Sequence, residues 1–230
     1  MKFTKLALTF VFFAVSSLAV WADPVVLNMS GLQSGEAIDN YFNGGLGGNG
    51  SGPGPSYGIV FSSNSLALIS ALDGGEGNFQ NNPSGGPIAF FESGAADTLD
   101  EAGGFTTGFS FYYSSAEAGS VTVWSGLDGT GTELASVPLT AQYDTDCAVG
   151  STTTFCTWTP VGVTFSGTAE SVNFGGVADE VGFDEITIGS QNAGEQETVT
   201  PEPSSLLLLG TGLAGLAGAL RRKFLQKNHA

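Results

Sequence analysis

Residues 108–113 read Gly108-Phe109-Ser110-Phe111-Tyr112-Tyr113, and their alternation decides the fold. Side chains of an extended chain point to opposite faces in turn. Phe109, Phe111 and Tyr113 therefore share one face, and Ser110 and Tyr112 the other. Val161, Val163 and Phe165 repeat the pattern. In the closing run from Val181 to Ile188, strict alternation puts Asp184, Ile186 and Ile188 on one face, opposite Phe183, Glu185 and Thr187.

Working outward, further short apolar runs predict strands. They are Val25 to Met29, Gly58 to Phe61, Leu66 to Ile69, Ile88 to Phe91, Val121 to Trp124, Glu133 to Pro138, Phe155 to Thr159 and Ser171 to Phe174. Gly and Pro clusters separate them, and no long window has helical periodicity. Ala95 to Ala102 gives little support for a helix. Gly44 to Ser56 (GGLGGNGSGPGPS) and Gly74 to Gly86 read as surface loops. The expectation is an all-β chain with one β-sandwich domain over residues 23–190 and a polar, acidic linker over 191–200.

Charge is distributed unevenly. All six basic residues, Lys2, Lys5, Arg221, Arg222, Lys223 and Lys227, lie near the ends, and none lies between Asp23 and Thr200. Of the 22 acids only Glu202 lies outside that stretch, so the body carries 21 and a charge of about −21. Such a surface repels polyanions. Nucleic-acid binding, which needs Lys or Arg against phosphate, is excluded, and so is peripheral binding to anionic lipid. No carboxylate of the body has a Lys or Arg there to pair with. A buried acid must be hydrogen-bonded, protonated or metal-bound.

Cys147 and Cys156 are the only cysteines. In an exported chain they are read as a disulfide across a short loop, with a free thiol pair as the alternative.

The ends read as targeting segments. Lys2 and Lys5 precede an apolar stretch from Leu6 to Val20, and Val20 and Ala22 fit a cleavage site before Asp23. Residues 1–22 are thus expected to be a secretory signal peptide for the Sec export machinery. Near the other end, Ser204 to Leu220 is uncharged, long enough for a helix of about 25 Å. That length is at the short end of what crosses a bilayer. Arg221, Arg222 and Lys223 follow as a basic stop on the cytoplasmic side.

Pro201-Glu202-Pro203, the apolar span and the basic end, in that order over 201–225, resemble the PEP-CTERM sorting signal of Gram-negative bacteria. The resemblance implies that an exosortase is a partner and that the precursor is anchored in the inner membrane. It further implies later delivery to the cell envelope, the surface or the exopolysaccharide matrix. A plain C-terminal anchor is the alternative.

The stretch GLQSGEAIDNYFNGGLGGNGSGPGPSYGIVFSSNSLALIS and the closing EVGFDEITIGS are similar to bodies found before such tags. They also resemble jelly-roll sandwiches of the carbohydrate-binding-module type. The resemblance implies a galactose-binding-like jelly roll.

Catalytic arrangements are few. The single histidine, His229, lies beyond the basic stop, so no Ser-His-Asp or Cys-His arrangement can form in the body. Without lysine there is no Schiff base or Ser-Lys pair. Only hydrolysis by two carboxylates remains, with Glu92, Asp97, Asp100 and Glu101 as candidates. Among 21 acids some pair is bound to occur, so the expectation is a non-enzyme with a structural role at the surface.

A calcium-dependent carbohydrate-binding module is the alternative, and a glycoside hydrolase the weaker one. For calcium, Asp184 would meet Glu36 or Asp39 from the early loop. The plain alternative has Asp184 exposed or capping a turn. For stacking on a glycan, Tyr112, opposite the aromatic face of its strand, is the surface candidate.

Overall fold

The computed structural model describes residues 23–195, apart from 144 and 149–151. The expected signal peptide, the 204–220 span, the sorting motif and the end of the linker lie outside these residues. Among the described residues no helix is long and apolar enough to cross a membrane.

Among the described residues, twelve strands form the body. They are β1 (Val25–Leu27), β2 (Glu36–Ala37), β3 (Ile59–Phe61), β4 (Ser65–Leu68), β5 (Ile88–Phe91), β6 (Ala96–Phe105), β7 (Gly108–Ser115), β8 (Gly119–Gly126), β9 (Thr130–Leu139), β10 (Thr159–Thr164), β11 (Ala169–Gly175) and β12 (Val181–Ile188). A seven-stranded sheet runs β10-β7-β12-β5-β4-β2, with β1 also on β12. A five-stranded sheet runs β3-β6-β11-β8-β9, and every pair in both sheets is antiparallel. The chain changes sheet at most of its connections, which winds the two layers into a jelly-roll sandwich. A wound sandwich buries one face of each sheet against the other.

The alternation in β7 works as read. Phe109 and Phe111 are fully buried between the sheets, where Phe111 meets Phe183 at 5.6 Å and Phe174 meets Phe183 at 4.8 Å between ring centroids. Offset and edge-to-face aromatic pairs add to the area they bury.

Three expectations need correction. First, β12 does not alternate strictly. A bulge lies between Asp184 and Thr187, and Glu185 takes a left-handed φ of 45°. The extra residue turns Ile186 and Ile188 inward with Phe183. Asp184, in register with Tyr112, falls on the outer face. Second, β6 is a ten-residue strand where none was expected. Its acids and paired glycines hide it, because they are poor strand formers. Third, Phe155 to Thr159 is no strand. Phe155 makes one isolated bridge to Phe79, and β10 begins at Thr159.

The Gly-rich loop is a folded cap. Gly47 N–H donates to Ser51 O at 2.9 Å, and Gly48 N–H to Ala37 O at 2.8 Å. A Cβ on Gly47 would lie 2.6 Å from Oε1 of Glu36, so only glycine lets the backbone approach that carboxylate.

Candidate functional site

The residues proposed to share a calcium ion are not brought together around one. Glu36 is fully buried and takes its hydrogen bonds from its own neighbourhood. Gln33 N–H donates to Oε2 at 2.8 Å, and Asn49 N–H and Ser51 N–H to Oε1 at 2.9 and 3.0 Å. Burial raises its pKa. The amide donors of Gln33, Ser51 and Asn49 and the Ser51 hydroxyl outweigh it and hold the carboxyl below its ordinary value.

Asp184 is also buried, on the outer face. Its Oδ2 accepts from Asn82 Nδ2 at 3.0 Å and Ser84 N–H at 2.9 Å, and its Oδ1 from Glu185 N–H at 2.9 Å. It pins the loop over 82–84 to the sheet. Asp39 is half-buried with a φ of 45°. Among the described residues, no three His, Cys, Asp or Glu side chains are placed to hold a metal ion.

Tyr112 is half-buried beside Pro160 and Asp184, and it does not line the clefts of that face. Cys147 and Cys156 are joined in the structure, with 5.1 Å between their Cα atoms.

The outer face of the seven-stranded sheet carries a feature that the sequence did not announce. Phe79, Ile88 and Phe155 form a small buried cluster apart from the main core, with Leu68 and Trp158 packed against it. Trp158 Nε1 donates to Gln80 O at 3.0 Å, and its ring stands edge-on to Phe79 at 6.0 Å. Leu68 and Phe155 of this group, with Phe90, also line an open cleft of about 450 Å³, within the size range of ligand sites.

Phe90, Phe155 and Tyr143 line the cleft's apolar part. Tyr143 is 49% exposed and meets Phe155 edge-on at 5.6 Å. Asn78 supplies an amide whose Nδ2 donates to Thr154 Oγ1 at 3.0 Å, and Glu76, Glu92, Asp179 and Glu180 supply carboxylates. The Cys147–Cys156 link joins a residue four positions after Tyr143 to the residue that follows Phe155. It closes the segment that brings both rings to one wall.

Of these residues, Glu92 is one of the candidate acids, and Glu76 and Asn78 lie in the expected Gly74 to Gly86 loop. Asp179 and Glu180 carry no sequence signal. They face the cleft because β12 starts there, beside the end of β5.

Other candidate acids lie elsewhere. Asp97 on β6 is buried beside the core residue Phe174 in register, and its Oδ1 has no hydrogen-bond partner. Burial pushes its carboxyl up to about 7, against smaller opposing hydrogen bonds from Ser65 and its own amide. Burial likewise raises Glu101. In Asp100, burial and the nearby Asp128 charge together outweigh the Asp128 N–H bond and raise the carboxyl.

Residues 199–223 match the family model of the PEP-CTERM protein-sorting motif. This chain carries a PEP-CTERM sorting motif. The match contains Pro201, Glu202 and Pro203 and ends on the basic Arg221, Arg222 and Lys223. A motif of this kind marks the chain for export.

No curated protein matches the sequence. Among solved structures, the body is similar to the module CsCBM6-3 from Clostridium stercorarium in complex with cellobiose. The identity is 17% and the TM-score 0.35, covering 56% of this chain and 84% of that one. A mutant family 29 carbohydrate-binding module is similar at 12% identity and TM-score 0.36, over 60% and 86% of the two chains. An arabinoxylan arabinofuranohydrolase of glycoside hydrolase family 43 from Bacillus subtilis matches at 14% identity and TM-score 0.34. There 58% of this chain covers 27% of the enzyme. Likenesses this distant establish nothing about ligand or activity.

Proposed function

We propose that this protein is a non-catalytic surface module that is exported through Sec, sorted through its PEP-CTERM motif by an exosortase, and holds glycan in the outer-face cleft. Its precursor sits in the inner membrane of a Gram-negative cell, and the processed body belongs to the envelope surface or the exopolysaccharide matrix. The observation that carries the glycan reading is the cleft itself. An exposed tyrosine ring over an apolar floor offers a platform for a sugar face, and the amide and carboxylate rim offers partners for hydroxyls.

The position of the cleft supports the same reading. The chain enters at β1 and leaves after β12, and Val25 pairs with Ile188, so both ends of the body lie at one end of the sheet. Asp179 and Glu180, which line the cleft, directly precede the other end of β12, roughly 20 Å away at a strand's rise per residue. A body tethered by its C-terminus presents the cleft away from the tether.

A purely structural role is the second reading, and the absence of Lys and Arg from the body favours it. Profiling the protein against a glycan array, with and without chelator, separates the two. Binding that is lost in Tyr143→Ala and kept in chelator supports the cleft, since the carboxylates of Glu36 and Asp184 are already taken by N–H donors. No binding in either buffer leaves the structural role. Intact mass of the envelope-derived protein tests sorting, and a retained tail would count against exosortase processing.

A further inference from the structure

The body has no cation of its own, and the cleft concentrates that imbalance. Glu76, Glu92 and Asp179 are exposed and Glu180 is half-buried, all around one opening. Among the described residues, none of the four carboxylates has a hydrogen-bond or ion-pair partner. They do not converge either, because no three acids here are placed to share a metal ion. Charges spread along a cleft match a ligand that carries positive charge at intervals, better than they match one small cation.

We propose that the cleft takes a glycan whose amino groups are free, a chain of amino-sugar units bearing ammonium groups. This rests on the glycan-binding reading above and names the chemical class that it selects. The apolar face of a sugar ring stacks on Tyr143 beside Phe155. Its ammonium group donates charge-assisted hydrogen bonds to the rim carboxylates and is attracted to the aromatic faces. An acidic glycan is repelled by a body with a charge of about −21. A neutral glycan gains the stacking and hydrogen bonds from its hydroxyls, but leaves the negative charge of the four carboxylates uncompensated.

The test is calorimetric titration of the full chain in detergent with three tetramers: glucosamine, N-acetylglucosamine and glucose in β-1,4 linkage. The glucosamine tetramer is expected to bind about tenfold or more tightly than the other two, with a margin that shrinks as salt is added. The double variant Glu92→Gln/Asp179→Asn should erase the margin. Glu133→Gln/Glu170→Gln, which removes two charges from the five-stranded sheet, should leave it intact. Equal or tighter binding of an uncharged tetramer overturns the ammonium class while leaving the glycan reading in place. Binding of none of the three overturns both. A margin that survives Glu92→Gln/Asp179→Asn, or falls equally in Glu133→Gln/Glu170→Gln, assigns the attraction to bulk acidity and overturns the site.

Discussion

Glu36 and Asp97 are both buried acids in a body without lysine or arginine, and they meet burial in opposite ways. Glu36 lies under the Gly-rich loop, where backbone amides converge on its two oxygens. Asp97 lies on β6 inside the sandwich, where one oxygen has no partner. The first carboxyl is held below its ordinary value and the second is raised to about 7. Burial is common to both. The number of N–H groups that can reach the carboxylate decides the sign. A loop can bend its amides toward a side chain, whereas a strand commits its amides to its neighbours.

The comparison breaks most sharply at Glu36. Glu36→Ala should cost about 3 kcal/mol in urea unfolding, because three partly buried N–H groups lose a charged acceptor. A loss below about 1 kcal/mol would show that water replaces the carboxylate there.

Asp97 is expected to act in the other direction. A rise from 3.8 to about 7 corresponds to ~4 kcal/mol between the two protonation states. Its folded-state value is raised, so its contribution to stability is complete below the ordinary 3.8 and is lost as pH climbs through about 7. Asp97→Asn should therefore stabilise the protein by about 2 kcal/mol at neutral pH and flatten the decline across that window. For Glu36 the sign reverses. Its contribution is present above the ordinary 4.5 and disappears as pH falls through the lowered value. Melting temperature against pH, run on both variants, measures both slopes, and parallel curves for the two would end the contrast.

Asp184 resembles Glu36 in kind, since it too is held by local donors. Asp184→Ala should cost about 2 kcal/mol and free the 82–84 loop to faster amide exchange. Unchanged exchange there would show that the loop does not depend on this carboxylate.

The smallest stability effects belong to the tyrosines. Tyr112→Ala should cost about 1 kcal/mol and leave glycan binding unchanged, while Tyr143→Ala should fall within about 0.5 kcal/mol of the parent and weaken binding. A loss above about 2 kcal/mol at Tyr112 would make it a core residue. Reduction of the Cys147–Cys156 link should weaken binding without unfolding the sandwich, read by titration and by far-ultraviolet circular dichroism. Full binding after reduction would show that the loop holds Tyr143 unaided.

Legibility in the sequence followed the physics of each element. Phe109, Phe111 and Tyr113 announce a strand because their spacing needs nothing else to be seen. Asp97, Asp100, Glu101, Gly103 and Gly104 conceal β6, which pairs with β11 and β3 for reasons of topology and not of local preference. Strict alternation puts Asp184 on the face of Ile186 and Ile188, because alternation cannot foresee a bulge. One extra residue at Glu185 moved it to the other face. Trp158 and Phe155 looked like parts of a strand and instead pack with Phe79 and Ile88, and Phe155 lines the cleft.

The sequence by itself determined the all-β class, the cation-free body and the sorting motif, because each depends on composition or on the order of neighbouring residues. Only the tertiary structure decided which acids are satisfied, and that Tyr143, Asn78, Glu92 and Asp179 surround one opening. Those residues lie far apart along the chain, and the pairing of β5 with β12 and the closure of the 147–156 loop bring them together.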